Sequence, residues 1–268
     1  MKEVFRRLIT GAVYVLLLLS AVFLSSDAFD FIFMVFGLAC LYEYKRLVRL
    51  PGYYIFIAYL GLWWVFIYLT RSQALIQTLL ILTLMVDLVL VAQLFNRRER
   101  HPGLFEKFVV GLFYLGGGCI FLTMIPYQDD QFAKWLIMGI FLIIWVNDSF
   151  AYLVGKTLGK HKLFPSVSPK KTVEGTIGGF LFSMVAAVLI GHFMPPVMRT
   201  SHWLALTVVL TGMGTLGDLI ESRLKRRAGL KDSGAILPGH GGMLDRLDSL
   251  VFAAPFAYLT LIVLQYVS

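Results

Sequence analysis

The chain has 268 residues, of which 58% are hydrophobic and 15% are charged, and its formal net charge is +8. Because the apolar residues extend from one end of the chain to the other, this composition excludes a soluble domain with one anchor, a disulfide-rich secreted module and a disordered protein. In a membrane protein such a positive charge reflects topology or an anionic lipid ligand. We therefore expect the bilayer as a partner, and no nucleic acid.

Nine apolar segments follow one another along the chain, separated by short connectors that are charged or contain Gly or Pro. Since about 20 apolar residues cross a bilayer, they predict an all-α polytopic integral membrane protein with about nine transmembrane helices. The second segment is the shortest, and its length also suits a re-entrant or interfacial helix. The predicted spans are Leu8–Leu24, Ala28–Leu41, Tyr53–Thr70, Ala74–Phe95, Phe108–Ile125, Phe132–Val154, Thr176–Phe193, His202–Ile220 and Ser249–Val267.

The lysines and arginines of the connectors predict the orientation of these spans. With the N-terminus in the cytoplasm, 21 of them lie on the inner side, and only Arg71, Lys134 and Arg199 lie outside. The positive-inside rule favours this arrangement, which places the C-terminus outside. Omitting the second span would destroy the asymmetry, so we expect nine spans rather than eight.

The first of two long inner connectors, residues 147–175, is rich in glycine and lysine. It is not a Walker A loop, because Phe150 stands where that motif requires a glycine before Gly155. Its five lysines can bind a polyphosphate as point charges. They can equally serve as the positive charges that anchor the topology.

The second long connector, residues 217–248, contains a polar stripe. If the eighth span continues as a helix beyond the lipid, Asp218, Ser222 and Lys225 lie on one face, with Glu221 beside them. Carboxylate and ammonium groups then share one surface. Asp218 is notable because a carboxylate at the end of an apolar run is costly unless it has a partner or a function.

The same connector ends in glycines and two further acids. Asp245 and Asp248 are three residues apart at the start of the ninth span, so both carboxylates point in similar directions. The preceding glycines allow backbone N–H groups to face an anion at a helix N-terminus. Hard oxygen ligands of this kind suit Mg²⁺, which proteins hold with one or two carboxylates plus substrate phosphates.

Each of these residues, taken alone, also has a structural explanation. Asp245 and Asp248 can be acids that the helix dipole favours, and His240 can be a hydrogen-bonding residue of a loop. Their combination on one membrane face favours a binding site. For Asp87, which lies deeper in the fourth span, both pairing inside the bundle and a place in the site remain open.

The stretch from Ser222 to Asp248 closely resembles the signature of the phosphatidate cytidylyltransferases, also called CDP-diacylglycerol synthases. It reads Ser-x-x-Lys-Arg-x4-Lys-Asp-x-Gly-x2-Leu-x-Gly-His-Gly-Gly-Met-x-Asp-Arg-Leu-Asp. Asn147-Asp148, Ser168-Pro169-Lys170-Lys171-Thr172 and Glu174-Gly175 are similar to that family's second conserved block. Residues 1 to about 130 match the family only in being hydrophobic.

The resemblance implies that a cytidylyl group passes from CTP to phosphatidate, giving CDP-diacylglycerol and pyrophosphate for phospholipid biosynthesis. The lipid phosphate would attack the α-phosphorus in line with metal assistance. Since the second pKa of a phosphate monoester is about 6, this nucleophile is largely a dianion at pH 7 and needs no protein base. The site then has to neutralise and align two polyanions.

The resemblance also implies functions for individual residues. Mg²⁺ would bind Asp218, Asp245 and Asp248, with a second cation left open, and Lys225 would act with them in catalysis. The predicted substrate-binding residues are Ser222, Arg226, Lys231, His240, Gly241, Gly242, Arg246, Asp148, Lys170 and Lys171.

We therefore expect residues 1–130 to form a scaffold of about five lipid-facing spans, and residues 131–268 to form the catalytic region. The active site would face the cytoplasm in a bacterial-type inner membrane, and the sequence leaves homo-oligomerisation open. Two other functions also remain: a CTP-dependent polyprenol or lipid kinase, which would release CDP, and a membrane transporter, whose site would lie near the midplane.

Overall fold

The computed structural model describes residues 2–96, 102–128, 131–237, 239 and 241–267. Within these ranges the chain forms nine continuous helical segments, and each coincides with one of the nine apolar segments of the sequence. The helices are α1 (Lys2–Leu24), α2 (Ser26–Leu47), α3 (Tyr54–Trp64) continued by the π-helical turn π1 (Val65–Leu69), α4 (Gln73–Phe95), α5 (Leu104–Val110) continued by π2 (Gly111–Gly117) and α6 (Gly118–Met124), α7 (Lys134–Thr157), α8 (Val173–Phe193), α9 (Thr200–Arg227) and α10 (Leu244–Val267).

Two short antiparallel hairpins complete the described secondary structure. Strands β1 (Tyr127–Gln128) and β2 (Gln131–Phe132) precede α7, and strands β3 (Lys162–Phe164) and β4 (Ser168–Thr172) connect α7 to α8.

Six of the helical segments are long and apolar enough to cross a membrane. They are α4, the continuous segment Leu104–Met124, α7, α8, α9 and the part of α10 over Leu244–Gln265. Thr10–Leu24 and Tyr54–Leu69 are apolar but shorter, and α2 carries Asp27, Asp30 and Glu43 among its apolar residues. The expected all-α polytopic membrane protein is thereby confirmed.

Small residues allow α10 to pack deep within the bundle. A Cβ added at Gly118 of α6 would lie 2.5 Å from the Val251 carbonyl oxygen, and one added at Gly217 of α9 would lie 2.6 Å from Cβ of Phe252. Backbones that approach so closely are typical of helix packing in membranes. The N-terminal end of α10 is consequently held against both α9 and α6.

The β3–β4 hairpin is tied to the end of α9 and to its own helix. Thr172 caps α8, because its hydroxyl accepts from the Gly175 N–H at 3.1 Å. Glu174 accepts from the N–H groups of Lys160 and His161 at 3.0 and 3.1 Å, which fixes the start of the hairpin. These contacts orient β4 so that it faces α9.

Candidate active site

The predicted polar stripe of α9 forms, and it faces the hairpin. The Lys171 ammonium of β4 makes an ion pair with the Asp218 carboxylate, and both side chains are about 30% exposed. Ser222, one helical turn beyond Asp218, donates its hydroxyl to Asp218 Oδ1 at 3.2 Å. Two of the residues predicted from separate connectors, Lys171 and Asp218, are therefore direct partners.

Lys225 connects α9 to α10. Its ammonium forms an ion pair with Glu221, one turn earlier on α9, and donates to Asp245 Oδ1 at 2.6 Å. Glu221 is completely buried and the Lys225 side chain is only 12% exposed. A charge pair at this depth is stable only when its groups remain close and bonded, so Lys225 is fixed between two carboxylates.

Asp245 is the most fully bonded acid of the site. Besides the Lys225 ammonium, its Oδ2 accepts from the N–H and the hydroxyl of Ser233, both at 3.0 Å, and from the Gly242 N–H at 2.6 Å. As an acid in the first turn of α10 it is also stabilised by the helix dipole. Asp245 therefore holds the loop between α9 and α10 in place.

Asp248 faces a different part of the site, although it lies only three residues from Asp245. It is buried, and its Oδ1 accepts from the Ser249 N–H at 2.7 Å. Its carboxylate is repelled by those of Asp218 and Asp148 and attracted by Lys171. A helical offset of three residues rotates the side chain by about 60°, which is sufficient to give the two acids different partners.

Asp148 of α7 completes the group of acids. Its Oδ1 accepts from the Asn147 side-chain amide at 3.2 Å. It interacts electrostatically with Lys171, Asp218 and Arg246. Acids from three helices, α7, α9 and α10, thus lie within electrostatic range of Lys171, which favours the binding of further positive charge.

These acids fit Mg²⁺ in the manner usual for that ion. Within the described ranges, no group of three or more His, Cys, Asp or Glu residues is placed to enclose a metal ion. Mg²⁺ does not require one, since it commonly takes one or two carboxylates and completes its shell with water and substrate phosphates. Asp218 and Asp248 suit this better than Asp245, because they have fewer protein donors than the four that contact Asp245.

The glycine-rich loop has the backbone shape expected from its sequence, but three successive amides at its end have protein partners. Gly241 has a φ of 89°, a conformation that favours glycine. The Gly242 N–H donates to Asp245, and the N–H groups of Met243 and Leu244 donate to Glu43 of α2 at 3.1 and 2.9 Å. Of the predicted anion cradle, the Gly242 N–H is thus bound to a carboxylate of the chain, and His240 lies outside the described residues.

The bases that the sequence predicted to bind phosphate are accessible to solvent. Lys170, Arg226, Lys231 and Arg246 are all exposed. Arg226 also donates to the Leu230 carbonyl at 3.2 Å, which keeps it beside the loop. The site therefore combines acids, of which Asp248 is buried and Asp148 is exposed, with exposed bases, an arrangement suited to binding phosphates together with a cation.

Three residues of the site were not predicted to belong to it: Glu43, Ser233 and Glu221. Glu43 had the same signal as Asp218, namely a carboxylate at the end of an apolar run. Glu221 was recognised only as a neighbour of the polar stripe. Asp87 is fully buried in α4, and neither of its oxygens accepts a hydrogen bond from a described residue, so both interpretations of it stay open.

Comparison with known proteins shows which family the chain resembles. The model of the cytidylyltransferase family matches residues 5–264. The phosphatidate cytidylyltransferase of Staphylococcus aureus (strain COL) is 45% identical over 149 residues, 56% of each chain. Against this relative the chain therefore aligns over little more than half of the relative's length.

Another phosphatidate cytidylyltransferase aligns over nearly its whole length. The Bacillus subtilis (strain 168) protein is 35% identical over 279 residues, which is 97% of this chain and 98% of the relative. The resemblance seen in the sequence is thereby confirmed. Because the family model covers almost every residue, the chain belongs to the cytidylyltransferase family.

Proposed function

We propose that this chain transfers a cytidylyl group from CTP to phosphatidate and releases pyrophosphate, so that it is a nucleotidyltransferase of phospholipid biosynthesis. The observation that carries the proposal is the Lys171–Asp218 ion pair, with the Asp148 and Asp248 carboxylates within electrostatic range of Lys171 and exposed bases in the same connectors. A reaction between two phosphate-bearing substrates needs this combination of charges. The names of the relatives support the choice of CTP and phosphatidate.

The chain's own residues bind and align the two substrates. Four exposed bases attract the substrate phosphates, namely Lys170, Arg226, Lys231 and Arg246. An oxygen of the lipid phosphate forms a bond to the α-phosphorus of CTP, the bond from that phosphorus to the bridging oxygen breaks, and pyrophosphate leaves. Because the nucleophile is already an anion, no side chain has to accept a proton.

Asp218 and Asp248 are the residues that would hold Mg²⁺, and Asp245 contributes through the loop and Lys225. When bound, Mg²⁺ supplies charge neutralisation and alignment of the phosphates. Because the side chains of Lys171 and Asp218 are both partly exposed, the Lys171 ammonium can leave Asp218 and bind a substrate phosphate instead. Lys225 remains between Glu221 and Asp245, and from there it stabilises negative charge that develops nearby.

We also propose nine spans, with the N-terminus in the cytoplasm, the C-terminus outside and the site at the cytoplasmic face of a bacterial-type inner membrane. The agreement of the nine helical segments with the nine apolar segments supports the count. The distribution of 21 inner and three outer bases supports the orientation. The catalytic charges then come mainly from residues 131–268, on a scaffold formed by residues 1–130.

The decisive experiment uses CTP that carries a radioactive phosphorus at either the α- or the γ-position. It is incubated with phosphatidate in mixed micelles, with and without Mg²⁺. We expect label from the α-phosphate to enter the lipid and label from the γ-phosphate to appear in pyrophosphate. Entry of the γ-label into lipid, with release of CDP, would instead indicate a kinase. Flux of a solute into sealed vesicles without CTP turnover would indicate a transporter, and either result would refute the proposal.

A further inference from the structure

The carboxylate of Glu43, in the N-terminal half of the chain, is buried inside the glycine-rich loop of the C-terminal half. Its Oε1 accepts from the Met243 N–H at 3.1 Å, and its Oε2 accepts from the Leu244 N–H at 2.9 Å. The Ser233 hydroxyl lies 3.0 Å from the same Oε2. Glu43 is 1% exposed, so this carboxylate is surrounded by the loop and by the first turn of α10.

Two glycines are required for the loop to close around Glu43. A Cβ added at Gly234 or at Gly242 would collide with the Glu43 carboxylate, and at Gly242 it would also collide with the Ser233 hydroxyl. Gly234 and Gly242 approach from different parts of the loop, and the Ser233 hydroxyl lies between the Glu43 and Asp245 carboxylates. The loop is therefore shaped to fit this one side chain of α2.

Ser233 connects Glu43 to the charged site. Its hydroxyl lies 3.0 Å from both Glu43 Oε2 and Asp245 Oδ2, and its N–H donates to Asp245 at 3.0 Å. Asp245 in turn accepts from the Lys225 ammonium. An uninterrupted chain of polar contacts thus runs from α2 through the loop to α9.

We propose that Glu43 is a positioning residue of the active site, which acts through Ser233 and the first N–H groups of α10 to fix the start of that helix and, with it, the Asp245 and Asp248 carboxylates. The inference rests on the proposed function, and it makes α2 part of the catalytic assembly. A carboxylate that receives two N–H groups at a helix start defines where that helix begins. The direction in which Asp245 and Asp248 project is then set by a residue about 200 positions earlier in the chain.

The test compares Glu43→Gln with a matched control, Asp30→Asn. Asp30 is a second buried acid of α2, is 3% exposed, and accepts from the Tyr127 hydroxyl at 2.8 Å far from the site. The glutamine of Glu43→Gln would keep the size of the side chain but would place an amide donor against groups that are themselves donors. Partners that orient metal-binding carboxylates typically contribute about 10–100-fold to metal affinity or activity.

For Glu43→Gln we therefore expect at least about a tenfold increase in the Mg²⁺ and CTP concentrations required for half-maximal rate. The KM for phosphatidate and the thermal unfolding midpoint should change no more than in Asp30→Asn. A merely structural effect would lower the active fraction, so kcat would fall with unchanged Mg²⁺ and CTP dependence. That outcome would overturn the proposal.

Ser233→Ala tests whether Glu43 acts through Ser233. Residues of one network give non-additive effects, so the double variant Glu43→Gln/Ser233→Ala should require no more Mg²⁺ than the worse single variant. Additive effects would show that Glu43 and Ser233 act separately. Glu43→Asp keeps the charge but shortens the side chain, so it should be intermediate. If Glu43→Gln does not fold, Glu43→Asp and Ser233→Ala provide the same comparison.

A second measurement does not depend on enzymatic turnover. Hydrogen exchange at the backbone amides of Met243 and Leu244, measured by mass spectrometry in detergent, should be faster in Glu43→Gln than in the wild type and unchanged in Asp30→Asn. Absence of CTP turnover in the wild type would refute the proposed function, but it would leave the hydrogen-exchange result at Met243 and Leu244 valid. Unchanged exchange in Glu43→Gln would refute the positioning of α10 by Glu43.

Discussion

Lys225 provides the most quantitative test of the site, because it separates stability from activity. Its ammonium lies between the Glu221 and Asp245 carboxylates, and Glu221 has no exposed surface. Lys225→Met would leave the buried Glu221 carboxyl without the ammonium that it contacts, so this group would stay unpaired or take up a proton. Removing one member of a buried pair typically costs about 3–5 kcal/mol, so we expect a loss of that size in the free energy of unfolding.

The double variant Lys225→Met/Glu221→Met should recover most of this stability. Replacing both members of a buried ion pair by apolar side chains of similar size is commonly neutral or stabilising. Asp245 would still accept from the N–H groups of Ser233 and Gly242. The cytidylyl transfer, however, should remain lost in both variants, because neither has the ammonium beside Asp245.

The assay is equilibrium unfolding in detergent, followed by helical circular dichroism, together with release of pyrophosphate from CTP and phosphatidate. A Lys225→Met variant as stable as the wild type would refute our interpretation of Glu221 as a buried group that Lys225 stabilises. Stability that did not recover in the double variant would contradict the assigned pairing. Activity that recovered with stability would remove Lys225 from the catalytic residues.

Three further predictions follow from individual contacts. Asp248→Asn should lower Mg²⁺-dependent pyrophosphate release by at least about a hundredfold, with unchanged helical circular dichroism, and near-normal turnover would exclude Asp248 as a metal ligand. Gly242→Ala should inactivate the enzyme, because the added Cβ would collide with Ser233 and Glu43. Gly212→Ala should be tolerated, since nothing lies within 4 Å of its Cβ position. Equal unfolding midpoints and activities in the two variants would contradict the close packing of the loop around Gly242. Lys171→Ala should raise the KM for CTP but change stability by no more than about 1 kcal/mol, because an ion pair this exposed contributes little, and an unchanged KM would exclude Lys171 from CTP binding.

Local sequence patterns determined much of the fold and part of the site. Apolar runs predicted nine helical segments because helices must satisfy their backbone hydrogen bonds within the bilayer. The helical period placed Asp218 and Ser222 on one face of α9, where they are hydrogen-bonded. The glycine at 241 has the left-handed φ that its pattern suggested.

Only the tertiary structure decided which charged groups are partners. Sequence periodicity reports which residues share a face of one helix, but it does not report what a neighbouring helix places opposite that face. The separate surroundings of Asp245 and Asp248, and the pairing of Lys171 with Asp218, depend on how α7, the β3–β4 hairpin, α9 and α10 pack.

Glu43 illustrates the same limit most clearly. Its position in the sequence identified it only as an acid at the end of an apolar segment. The fold brings its carboxylate to hydrogen-bonding distance of the Leu244 N–H. A buried carboxylate must find donors wherever the chain supplies them, and here the nearest donors come from a loop at the other end of the sequence. The sequence by itself therefore determined the membrane helices and the residue types of the site. Packing, which satisfies buried charges through contacts distant in sequence, decided how those residues are arranged.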